Sequence, residues 1–189
     1  MSTGYNNNNP TNINYYPGNN WEGATGATTK TADGQNNVQF QDIVFGLRAA
    51  MQLVYNYLVN YKLNLYNLVK RWTGLTDPNK IYNYCSVINQ YANTDFSLSP
   101  GAAPIDPTLK NILTIVQGIV QNEIPEFNEI SNEQYQQALS YYQGNDYNYI
   151  AANDNRPVTE TPGQQTAGFN TWIIFAIVGA GAIFFFNKK

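Results

Sequence analysis

The stretch 169–186 constrains this chain more than any other. It reads Phe-Asn-Thr-Trp-Ile-Ile-Phe-Ala-Ile-Val-Gly-Ala-Gly-Ala-Ile-Phe-Phe-Phe, and from Trp172 to Phe186 its only polar side-chain group is the indole N–H. As an α-helix it spans about 27 Å at ~1.5 Å per residue, close to the ~30 Å hydrocarbon core of a bilayer. Trp172 at one margin suits the headgroup layer. Lys188 and Lys189 beyond the other margin can extend their stems to water. A buried helix of a soluble domain seldom stays apolar on every face between two such margins. The pattern predicts one transmembrane helix over 169–187, with small residues at Ala176, Gly179, Ala180 and Gly181 suited to close packing in lipid. The remainder is then a domain held at a lipid bilayer.

By length the rest of the 189 residues makes about one domain. Charged residues are only 12 %, roughly half the usual share, so solubility falls to amides and hydroxyls. A net charge of −3 gives no electrostatic handle on nucleic acid, and no nucleic-acid partner is expected. The chain has no His and one Cys, Cys85. That removes an internal disulfide, a Cys/His metal site and any nucleophile that depends on a His base. Cys85 reads as a small core residue. Acid–base chemistry is left to carboxylates, Tyr and Lys, and no cofactor is expected. The N-terminus shows no basic segment followed by an apolar run, so no secretory signal is expected.

Along the chain, residues 1–37 are rich in Asn, Gly and Thr, with turn-prone pairs and no helical or strand period. Tyr15, Tyr16 and Trp21 argue for an arm packed on the domain rather than a free tail. The domain itself, 38–144, reads as a compact bundle of about five helices. Asp42 is a good N-cap, and Ile43, Leu47, Ala50, Met51, Val54, Leu58 and Tyr61 follow at three- and four-residue spacing, predicting the central helix. Arg48 falls at the margin of that stripe. Asn64 caps a shorter helix with Leu65, Leu68, Val69 and Trp72 inward, and Gly74 ends it. Asp77-Pro78 opens a third helix, with Ile81, Tyr84, Cys85, Ile88 and Tyr91 on one face. Asp106-Pro107 repeats the signal for a fourth helix, running through Ile112, Val116, Ile119 and Val120 to Glu123 before Pro125. Ser131 and Gln134 form a capping box for the last helix, with Tyr135, Ala138, Leu139 and Tyr142 inward. Residues 145–168 are a polar linker whose charge comes from Asp146, Asp154, Arg156 and Glu160. Positive charge beyond the anchor places the Lys pair on the cytoplasmic side and the domain on the other.

The order of these signals resembles a phage-associated family. Asn8-Asn9-Pro10-Thr11-Asn12-Ile13-Asn14 and Asn20-Trp21-Glu22-Gly23 resemble its opening, usually Asn-Asn-Pro-Gly-Asn-Ile-Arg and then Trp-x-Gly. Phe45-Gly46-Leu47-Arg48-Ala49 resembles its Gly-Ile-Arg-Ala block. Tyr61-Lys62-Leu63-Asn64, Val69-Lys70-Arg71-Trp72 and Ile119-Val120-Gln121-Asn122-Glu123 resemble the blocks that follow. Members are called virion structural proteins and are similar to lysozyme-like lytic transglycosylases, which cleave peptidoglycan. The resemblance implies a lysozyme-like fold facing peptidoglycan. With the anchor, it implies a virion protein of a membrane-containing phage, placed in the virion membrane and in the host membrane during assembly. Its partners would be the bilayer, capsid or other virion proteins, and peptidoglycan. The family Gly is Thr11 here, its Arg is Asn14, the His beside the late Glu is Asn122, and a later Glu is Asp77. Packing positions are kept better than polar ones, which fits a retained fold with weakened or lost chemistry.

Glycan cleavage needs a carboxylic acid held protonated, and a transglycosylase can work with one such group. Glu123 is the candidate, at the C-terminal end of an apolar helix where the dipole disfavours the ionised form. Trp21 can stack on a sugar ring and Glu22 beside it is a second candidate for substrate contact. Trp72 is either a groove wall or core, with core favoured. Asn12 and Arg48 are expected to fix the arm on the first helix. Three readings stay open: an anchored structural virion protein with degraded chemistry, an active lytic transglycosylase used in entry, and a cellular tail-anchored protein.

Overall fold

The computed structural model describes residues 6–28, 36–124 and 130–143. Among them the chain is mainly helical, with five helices and one two-stranded sheet. The expected linker and the anchor, with Trp172, Gly179, Gly181, Lys188 and Lys189, lie outside the described residues. Among the described residues no helix is long and apolar enough to cross a membrane.

Helix α1 (Ile43–Val59) is the hub. The Asp42 carboxylate accepts from the Val44 N–H at 2.8 Å and opens it. Leu47, Ala50, Met51 and Val54 are fully buried; each large side chain of this kind contributes roughly 1.5–3 kcal/mol by leaving water. Helices α4 (Leu109–Glu123) and α5 (Asn132–Gln143) pack against α1. The arm closes a further face. A Cβ on Gly46 would collide with the Asn8 carbonyl and Pro10, so glycine there is the condition for the arm to lie on the helix.

Helix α2 (Leu65–Thr73) starts at Asn64, whose Oδ1 accepts from the Asn67 N–H at 2.9 Å, and stops at Gly74 with φ +70°. Helix α3 (Pro78–Ala92) starts at Asp77 and packs on α2 and α4. Helices α3 and α4 meet closely at Gly118, where a Cβ would come within 2.7 Å of Ile88 Cα. The Ser131–Gln134 capping box of α5 forms as expected, with Ser131 N–H donating to Gln134 Oε1 at 2.9 Å.

Four details differ from the sequence reading. Helix α4 begins at Leu109 with Thr108 as its cap, not at Asp106-Pro107. The Asp106 carbonyl is instead taken by Asn111 Nδ2 at 2.9 Å, which keeps the approach extended. Tyr91 is 54 % exposed rather than on the buried face of α3. Arg48 is not marginal but buried, because the arm covers it. The arm is also more regular than its composition suggests: strand β1 (Ala24–Ala27) pairs antiparallel with β2 (Val38–Phe40), with a bulge between Ala24 and Gly26. Three of the four β1 residues are exposed and none alternates with a buried one, so its period-2 signal is missing.

The arm holds its shape through Asn9, which is fully buried. Its Nδ2 donates to the Ile13 and Val38 carbonyls, and its Oδ1 accepts from the Ile13 N–H, all at 2.9 Å. One amide thus closes the 9–13 turn and fastens it to β2.

Candidate functional site

The arm, α1 and α2 line a half-open cavity of about 210 Å³. Its wall includes Asn12, Asn19, Trp21, Tyr57, Arg71 and Trp72. The two tryptophans come from distant parts of the chain. The 9–13 turn and the segment after it carry Asn12 and Trp21, and the last turn of α2 carries Arg71 and Trp72. Sequence reasoning favoured Trp72 as core. It is only partly buried, packs edge-on against the Tyr57 ring with centroids 6.1 Å apart, and lines the cavity with Trp21.

The polar groups of this wall are unusual in one respect. Asn12 Oδ1, Asn19 Oδ1, Trp21 Nε1 and Arg71 Nε are buried and have no hydrogen-bond partner. Two acceptors and two donors on the residues of one aromatic wall are therefore left unpaired. A buried polar atom left unpaired costs about 1–3 kcal/mol, so four on the residues of one wall mark a place where small side-chain shifts toward a polar ligand recover free energy.

Glu123 is the last residue of α4 and half-buried. Its Oε2 accepts from Asn12 Nδ2 at 3.0 Å and its Oε1 from the Tyr84 hydroxyl at 2.7 Å. It is not part of the cavity wall described above. Asn12 stands between, with Nδ2 turned to Glu123. Burial first, and then the Glu123 charge and its hydrogen bond, hold the Tyr84 hydroxyl well above its ordinary pKa, so Tyr84 remains a donor. Asn122 donates from Nδ2 to the Tyr84 and Gly118 carbonyls at 3.2 and 3.0 Å. It braces α4 on α3 and offers no titratable group.

Glu22 and Arg48 form an ion pair at 3.1 Å, with side-chain exposures of 51 % and 2 %. Arg48 on α1 thus pairs with Glu22 of the arm. Neither residue is in the cavity wall described, which separates Glu22 from its neighbour Trp21. Asn12 ties the arm to α4 through Glu123. Cys85 is fully buried, and desolvation pushes its thiol up to about 12; a thiol held this way is not a nucleophile at neutral pH.

Sequence reasoning missed Arg71, Asn19 and Tyr84 as site residues. Arg71 reads as a cation complementing the α2 dipole, and only its neighbour Trp72 hinted otherwise. Compared with protein-family models the chain matches none, and no curated protein matches it.

Proposed function

We propose that this chain is a membrane-anchored structural protein of a lipid-containing phage virion, and that its helical domain binds peptidoglycan glycan without cleaving it. The observation that carries the glycan reading is the cavity with Trp21 and Trp72 in its wall and four unpaired polar atoms around it. Sugars present apolar ring faces for stacking and hydroxyls that both donate and accept, which is the complement of this wall. The non-cleaving part rests on Glu123. A general acid must reach the glycosidic oxygen within about 2.6–3.2 Å or through one water, and both Glu123 oxygens are engaged by Asn12 and Tyr84 behind the cavity. The virion setting and the lysozyme-like ancestry rest on the ordered resemblance, and the anchor on the apolar stretch 169–186.

Full-length protein in detergent, mixed with purified sacculi, tests this. The expected result is co-sedimentation with no release of anhydro-muropeptides, and about tenfold weaker retention for Trp21→Ala, the loss of one stacking partner. No retention of the folded protein would overturn the binding reading. Anhydro-muropeptide release that Glu123→Gln abolishes would establish instead the active lytic transglycosylase with Glu123 as its acid.

A further inference from the structure

We propose that the cavity selects a sugar bearing a free carboxylate, and that Arg71 is the residue that reads it. This rests on the glycan-binding reading and adds the charge of the ligand. The Arg71 guanidinium carbon lies 4.0 Å from the centre of the Tyr61 ring and 5.3 Å from that of Tyr57. The two rings stand nearly perpendicular to each other, and contact with both restrains the guanidinium, so less entropy remains to be lost when it binds. Its Nε is buried without a partner. Among the described residues the ion pair is Arg48 with Glu22, and no carboxylate sits on Arg71.

The neighbouring acids do not compete for that place. Glu22 is committed to the buried Arg48, and Glu123 faces Asn12 and Tyr84. Glu123 also has a positive role. By holding Asn12 Nδ2 it fixes the amide so that Oδ1 is the atom left over, an acceptor for a sugar hydroxyl. A neutral sugar satisfies Asn12, Asn19 and Trp21 but leaves the guanidinium with ring quadrupoles alone. A carboxylate adds charge-assisted hydrogen bonds, roughly twice as strong as neutral ones.

In peptidoglycan the carboxylate of this kind is the lactyl group of N-acetylmuramic acid. In intact strands it is tied up as an amide to the stem peptide. Hydrolysis of that amide returns a free carboxylate to the sugar and an amine to the peptide. The reaction class that must supply this ligand is therefore an amidase, and the cavity is suited to strands already stripped of peptide. A uronic acid carries the same chemistry from another source.

Titration of the full-length protein in detergent, read by tryptophan fluorescence, decides this on the wild type alone. The probes are N-acetylglucosamine, N-acetylmuramic acid, its neutral lactyl amide, and glucuronic acid. N-acetylmuramic acid is expected to bind about tenfold more tightly than N-acetylglucosamine or the amide. Within Arg71→Gln, N-acetylmuramic acid, its amide and N-acetylglucosamine should bind with equal affinity, whatever that affinity is, and Arg71→Lys should keep part of the preference. Equal affinities for acid, amide and N-acetylglucosamine would overturn the inference and leave glycan binding standing. Binding of none of them would overturn both. Tighter binding of glucuronic acid than of N-acetylmuramic acid would overturn the amidase-trimmed source.

Discussion

Asn9 holds backbone groups up to 29 residues away from it with a single side chain. Replacing it with Ala strips the Ile13 N–H and the Val38 carbonyl of the Asn9 bond, while the Ile13 carbonyl keeps the Val38 N–H; a buried group left unpaired costs about 1–3 kcal/mol. Partial access of water lowers the sum, and Asn9→Ala is expected to cost about 2–4 kcal/mol by urea unfolding. Cys85 and Tyr84 give a second prediction. The Cys85 pKa rises from 9.0 to about 12 on folding, and that of Tyr84 rises well above 10.0. Both raised values mean that the folded chain keeps protons the unfolded chain has lost. Stability from these groups is complete below pH 9 and is lost as pH climbs towards about 12. Urea midpoints should fall steadily above pH 9, and Cys85→Ala should flatten the beginning of that fall while the Tyr84 contribution remains.

Helix placement was legible in the sequence wherever the cue is local. Asp42, Asn64, Asp77 and the Ser131–Gln134 box each act within three residues, and Gly74 stops α2 by its own backbone. What was not legible depends on distant partners. Strand β1 exists because β2, itself fastened to the 9–13 turn by the Asn9 amide, stands opposite it, and Arg48 is buried because an arm from 20 or more residues upstream lies over it. The site divides in the same way. Glu123 and Trp21 could be singled out by type, but that Arg71 lies across from Trp21 is a matter of tertiary packing. Asparagine was read as a solubilising residue, yet several asparagines fasten irregular backbone. Asn64 Nδ2 holds the Pro100 and Ala102 carbonyls at 3.0 and 2.9 Å, and Asn89 holds Phe96 at 2.8 Å. The α3–α4 crossing gives the prediction at this scale. Gly118→Ala puts a methyl group against Ile88 backbone that cannot swing aside, and overpacking of this kind costs about 1–3 kcal/mol. A fall in thermal midpoint measures it, and an unchanged midpoint would show that the crossing opens freely.

At the scale of the whole molecule, the Asn12–Glu123 bond joins positions 111 residues apart, so the arm and the end of α4 are fastened across the domain. The domain therefore has its cavity fixed at the arm, while the expected linker and anchor follow α5 in the chain. Full-length protein is expected to float with lipid vesicles in a density gradient. Paired Ile177→Arg and Ala180→Arg substitutions should prevent it, because each charge at a helix centre costs about 2.5–3.5 kcal/mol on insertion scales. Continued flotation of that variant would place the membrane contact elsewhere. The Asn9 fastening bears finally on how such a molecule ages. Asparagine side chains are lost chiefly when the next backbone nitrogen attacks them to form a cyclic imide, which hydrolyses to aspartate. The residue after Asn9 is Pro10, whose nitrogen has no hydrogen to give up. The amide on which the arm depends is thus shielded from that spontaneous chemistry by its own neighbour, and the arm should keep its register through long storage.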